Sequence, residues 1–123
     1  MNIAKKWFKQ ARDDLDVAEY CFEGRKYYAA GFWAQQAIEK SLKSVWIAQG
    51  KGLKKTHELA FLAEEVGAPK DLIAEAAMVT PLESKTRYLD YEGTTPKELV
   101  DEGKAHDAIL TAKRVIEWCQ AKL

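Results

Sequence analysis

The sequence has 123 residues, 47% of them hydrophobic and 31% charged, with a formal charge of +0 at pH 7. That length and balance fit a single domain spanning 1–123 and exclude a disordered tail protein. Lys plus Arg and Asp plus Glu each number 19, so no overall basic field draws the chain to nucleic acid or membrane, and any anion binding has to be local. The halves nevertheless differ: through Lys55 basic residues outnumber acidic ones 11 to 6, and from Thr56 the balance reverses to 8 against 13.

No apolar run approaches the roughly 20 residues that span a bilayer. The opening Met1 to Lys6 is not followed by a signal-peptide core, so a cytoplasmic protein without a membrane segment is expected. Cys21 and Cys119 lie far apart, with no Cys-x-x-Cys spacing and no Cys/His cluster. This pattern predicts two small apolar side chains rather than a metal or redox centre, and no cofactor.

Apolar residues recur at helical spacing throughout, and no segment alternates as a strand would. Ile3, Trp7, Ala11, Leu15, Ala18 and Phe22 predict a first helix ending at Gly24, with Asp13, Asp14 and Asp16 mostly off its apolar stripe. A long second helix from about Arg25 to Gln49 carries Tyr28, Phe32, Gln35, Ile38, Leu42, Val45 and Trp46 and stops at Gly50-Lys51-Gly52. Thr56 reads as the N-cap of a short third helix with Leu59, Leu62, Ala63 and Val66 inward, closed by Gly67 before Pro69.

A fourth helix from about Lys70 places Leu72, Ala76 and Val79 inward, and Pro81 should kink or break it. Thr80-Pro81-Leu82-Glu83 has the form of a capping box that restarts a helix to about Tyr88. Thr95-Pro96-Lys97-Glu98 repeats that form and is expected to open the last helix, whose stripe is Ala105, Ile109, Ala112, Ile116 and Cys119. Short connections between such helices give an all-α fold, an antiparallel up-and-down bundle of about five helices.

A bundle alone does not name a function, so the polar strings have to carry it. Along the second helix Gln35 aligns with Glu39, Gln36 with Lys40, and Glu39 reaches Lys43. Gln35 and Glu39 border the apolar stripe and are expected to be partly enclosed. The strip reads either as an exposed salt-bridge ladder or, with Trp33, Gln36, Glu39, Lys40 and Lys43, as an interface. Lys54, Lys55 and His57 surround the expected start of the third helix, where free amides and lysines favour a phosphate, unless they form only a capped turn.

Arg87-Tyr88-Leu89-Asp90-Tyr91 combines a guanidinium, two rings and a carboxylate before a loop. It fits nucleotide or phosphate contact through Arg87, Tyr88 and Tyr91, or equally an anchor for a helix end. His106 lies just off the last stripe and reads as a packed or rim residue. No nucleophile elbow, phosphate loop or metal-ligand pair is present, so catalytic residues are not assigned.

Taken together, Trp7, Ala11, Asp14-Leu15 and Ala18, then Tyr28-Ala29-Ala30, Gln36 to Lys43, Lys55 to Leu59 and Arg87-Tyr88, resemble the HEPN domain family of bacteria and archaea over nearly the whole chain. The resemblance implies a bundle of about five helices, commonly a homodimer, and often a companion minimal nucleotidyltransferase. Many members are metal-independent RNases with an Arg, four to six residues, then a His. Here that spacing from Arg87 falls on Glu92, Gly93 or Thr94, and no other Arg reaches His57 or His106. The resemblance therefore points to the non-nucleolytic branch, a binding module contacting nucleotide or RNA in a toxin-antitoxin-like or stress system. An RNase with an unorthodox Arg87 and His57 site, and a plain helical scaffold, are the alternatives.

Overall fold

A computed structural model describes residues 2–52, 55–89 and 93–123. Its elements among these residues are all helical: α1 (Ile3–Glu23), α2 (Tyr27–Ala48), α3 (Leu59–Glu65), α4 (Lys70–Val79), α5 (Leu82–Lys85), α6 (Pro96–Leu99) and α7 (Glu102–Lys122). Five are helices of about two or more turns, and α5 and α6 are single turns. No described helix is long and apolar enough to cross a membrane.

α2 is the central element: α1 and α7 pack along it most extensively, and α3 to α6 touch it along its remaining surface. Its sequence permits this because Ala30, Ala34 and Ala37 let neighbouring helices approach closely, while Ile38, Leu42 and Val45 fill the space further along. The expected stripes of α3, α4 and α7 are all buried. Each of these helices faces the core on one side, so helical periodicity alone identifies the inward positions.

The α1 stripe is rotated from its expected position. Ala4, Phe8, Ala11 and Ala18 are its buried apolar residues, whereas Ile3 is 60% exposed and Trp7 and Leu15 are only half-buried. α1 lies against both α2 and α7, and the small side chains at Ala4, Ala11 and Ala18, one every seven residues, mark the close seam. Asp14, expected off the stripe, is 1% exposed on this same seam.

Two of the expected helix starts also differ. Thr56 is not the N-cap of α3; its hydroxyl accepts from the Glu58 amide within the preceding turn, and α3 begins at Leu59. The Leu59 amide is instead capped from another element, by Thr80 Oγ1 at 3.1 Å. That contact occupies the hydroxyl that a local Thr80 capping box would have used. Pro81 still breaks the helix, and α5 ends at Lys85, before Tyr88.

Thr95 does cap a helix, its hydroxyl accepting from the Glu98 amide, but that helix is the single turn α6. The chain then extends at Val100 and restarts as α7 under the Asp101 cap, whose carboxylate accepts from the Lys104 amide at 2.8 Å. The extended residue is the reason for the break: Val100 is buried, and its side chain inserts beside Gly31 of α2.

Cys119 is fully buried, and burial pushes its thiol up to about 12, against a smaller opposing effect of the Ser41 hydroxyl. It is a packed small residue and Cys21 is a free, half-buried one. At Gly31 a Cβ would meet Leu82 Cδ1 at 3.2 Å and Val100 Cγ1 at 3.3 Å, closer than ordinary contact. Gly31→Val should therefore lower stability by about 2 kcal/mol or more through overpacking, despite replacing glycine in a helix. A urea melt in which Gly31→Val raises the midpoint would contradict this packing.

Candidate functional site

The polar residues of α2 do not form an exposed ladder. Gln35 is completely buried, and Glu39 and Lys43 are almost so. Helical spacing brings the Gln35 amide to Glu39 Oε1 at 3.3 Å and Lys43 Nζ to Glu39 Oε2 at 3.0 Å, and Gln36 donates to Gln35 Oε1 at 2.8 Å. Glu39 is thus a buried carboxylate whose partners are supplied first by its own helix.

The remaining partner comes from the segment before α3. His57 Nδ1 lies 2.7 Å from Glu39 Oε1. A carboxylate accepts, so Nδ1 carries the proton and donates, which turns Nε2 outward. His57 precedes α3, which begins at Leu59, so it does not stand at the helix start expected from the sequence. Its side chain is 58% exposed above an almost fully enclosed acid.

His57 Nε2 is 3.8 Å from Glu83 Oε1, and the same oxygen accepts from Arg87 Nη1 at 2.6 Å. Thr80 and Pro81 keep right-handed helical geometry, so the chain runs on from α4 into α5 and places Glu83 where it binds Arg87 and stands close to the His57 ring. An open depression of about 660 Å³ lies here, with Thr56, His57, Thr80 and Glu83 among its walls. The exposed Tyr88 ring lies beside Arg87, its centroid 5.5 Å from Cζ.

Of the sequence candidates, Arg87, Tyr88 and His57 therefore stand together. Lys55 is exposed nearby in sequence. Lys54 and Tyr91 lie outside the described residues. In the suggested interface strip, Glu39 and Lys43 point inward, Lys40 pairs with Asp14, and Trp33 and Gln36 are half-buried. Two acids matter here beyond the sequence candidates. Asp14 is buried and holds both Lys40 Nζ and Gln10 Nε2, the latter at 2.9 Å. Glu83 binds Arg87 and stands close to His57; its local signal is its position four residues before Arg87.

The arrangement offers an anion a half-exposed guanidinium with a ring beside it, next to an opening that His57, Glu58 and Glu83 line. No group of three or more His, Cys, Asp or Glu among the described residues is placed to hold a metal ion.

The chain matches the HEPN domain family over residues 4–122. It is similar to the crystal structure of TT1696 from Thermus thermophilus, with 30% identity, a TM-score of 0.91 and 100% of both chains covered. A second similar structure is ST0689, an archaeal HEPN homologue, with 32% identity, a TM-score of 0.83 and 98% of each chain covered. The fold is also that of a HEPN domain protein from Thermotoga maritima, tm0613, at 23% identity and a TM-score of 0.74, covering 94% of this chain and 95% of that one. No curated protein matches the chain.

The Lys40 and Asp14 pair allows an asymmetric test, because the Lys40 side chain is 22% exposed and that of Asp14 only 2%. Lys40→Ala strands a buried carboxylate with only Gln10 and should cost about 3 kcal/mol. Asp14→Ala frees a lysine that can turn to water and should cost less. Equal losses in chemical denaturation of the two variants would show that Asp14 does not depend on Lys40.

Proposed function

The chain belongs to the HEPN domain family, and from that premise we propose a non-nucleolytic HEPN binding module that contacts the phosphate of a nucleotide or RNA through Arg87 and His57. The observation that carries this reading is the closeness of Arg87, bound to Glu83, and His57, 3.8 Å from the same acid, beside an open depression. The guanidinium supplies the charged fork, Tyr88 a stacking face, and His57 Nε2 a further donor when the ring carries its second proton. Family kinship supports a cytoplasmic protein working with a minimal nucleotidyltransferase in a toxin-antitoxin-like or stress setting.

The same kinship supports a homodimer. Its apolar contact is supplied by Met78, exposed on a cleft of about 340 Å³ with Leu82, Leu99 and Ala108, and by Leu89, exposed on a neighbouring depression that shares Leu99. Large exposed apolar side chains grouped around a cleft are what a self-association surface offers. In light scattering at micromolar concentration the protein should have the mass of two chains, and Met78→Glu with Leu89→Glu the mass of one; a monomeric wild type would refute the dimer.

A second reading has its own support. The buried Glu39 fixes the His57 imidazole with Nε2 outward, the orientation a proton-transfer histidine requires, with Arg87 nearby to face a phosphate. The binding reading expects ATP to bind in a salt-sensitive manner and Arg87→Ala to weaken it about tenfold. It also expects no RNA cleavage in EDTA. Unchanged ATP affinity in Arg87→Ala would reduce Arg87 to a helix anchor. Cleavage lost in a folded His57→Ala variant would instead establish the RNase.

A further inference from the structure

The outward face of α1 carries a charge order that the helix itself does not favour. Lys5, Lys6 and Lys9 occupy its first half and Asp13, Asp16 and Glu23 its second, all of them exposed. No acid stands in the first turn and no base in the last. The positive end of a helix macrodipole favours acids and the negative end favours bases, so this order is reversed at both ends. Among the described residues none of these six side chains takes part in an ion pair.

Lys6, Lys9, Asp13, Asp16 and Tyr20 follow one another at alternate steps of three and four residues, so they form one stripe along the helix. It lies opposite the seam of Ala4, Ala11 and Ala18 that packs on α2 and α7. Tyr20 is 80% exposed, a large ring left almost wholly to solvent. No residue of the stripe lines the cleft at Leu82 and Leu99 or the depression at His57.

We propose that this face pairs antiparallel with the same face of a second copy, as a self-association surface separate from the apolar cleft. With the two-fold axis level with Ala11, Lys9 faces the partner's Asp13 and Lys6 the partner's Asp16, and symmetry repeats both pairs. Tyr20 then comes level with the partner's Ile3, a residue that is 60% exposed. The acidic half of each helix lies beside the basic start of the other, which offsets the reversed order at both ends.

Charge complementarity selects this occupant. A partner of one charge sign is attracted by half of the stripe and repelled by the other half, and a parallel copy sets like charges together. An antiparallel copy satisfies both halves at once. Ion pairs on an exposed face are individually weak and are screened by salt. The contact therefore forms at high protein concentration in low salt, and at micromolar concentration the cleft acts alone.

Sedimentation velocity of the full chain tests the pairing. At about 100 μM in low salt the mass should be twice that of the micromolar species, and about 0.5 M salt should restore the smaller mass. Lys9→Glu and Asp13→Lys alter exposed residues, so both variants stay folded, which circular dichroism checks. Each alone sets like charges against each other and should weaken the pairing about tenfold. Their equimolar mixture restores opposite charges across the axis and should regain the wild-type mass. Glu64→Lys, an exposed change on α3 with the same net charge as Asp13→Lys, should not do so when mixed with Lys9→Glu. A wild-type mass indifferent to concentration and salt overturns the proposal, as does a Lys9→Glu and Asp13→Lys mixture no heavier than either variant alone. Equal rescue by Glu64→Lys also overturns it, since net charge would then suffice. Met78→Glu with Leu89→Glu separates the two surfaces: this variant should still pair in low salt, and loss of that pairing would assign it to the cleft and refute the α1 surface.

Discussion

The carboxylate of Glu39 is the interaction on which the arrangement of the candidate site depends. Removing a charged acid from water carries a desolvation cost of several kcal/mol, which is offset only if its lone pairs are well occupied. Gln35 and Lys43 supply partners from the same helix, and His57 supplies one from a segment with no regular structure of its own. The need of a buried acid thus anchors the chain just before α3. With that segment held, the Leu59 amide reaches Thr80, the end of α4 is drawn to the start of α3, and the chain running on through Pro81 brings Glu83, with Arg87 bound to it, close to His57.

A buried ion pair is weak evidence for stability, since apolar residues of similar volume often do as well. Its consequence here is positional. An apolar side chain at Glu39 could pack against α3, but it would not orient an imidazole. The central place of α2 makes this effective, because it is held by α1 and α7 along its length. The small residues that allow those helices to approach, and Gly31 where Val100 enters, limit the movement of the backbone that carries Glu39.

Features governed by local chemistry were legible in the sequence. The stripes of α3, α4 and α7, the break at Pro81 and the Thr95 cap all follow from residues within a turn or two of one another. Where two distant segments compete for the same group, local reading did not suffice. Thr80 has a good capping-box sequence, yet its hydroxyl serves the Leu59 amide. Thr56 precedes an apolar pattern, yet it closes a turn. Asp14 has the spacing of a surface residue on a one-sided helix, but α1 is flanked on two sides, and the residue that makes its burial tolerable, Lys40, belongs to α2. Arg87 and Tyr88 were legible as candidates from their composition. Their relation to His57 was not, because Glu83, which stands between them, reads in the sequence as the last residue of a capping box.

The absence of an Arg-x4-6-His spacing is a statement about one segment, while the imidazole and guanidinium here come from two. The two groups are also held with different strength. The Arg87 side chain is 47% exposed, and an exposed ion pair such as that with Glu83 contributes only ~0–1 kcal/mol. A phosphate, which offers several charged acceptors to the guanidinium, can therefore compete for it or share it. His57 is tied to an enclosed carboxylate whose other partners are on the same helix, so displacing it would leave Glu39 short of a partner in a place that water does not readily reach. An incoming anion would thus be met by a rearrangement of Arg87 around a stationary His57, which makes the arginine the adjustable element of the site and the histidine its fixed point.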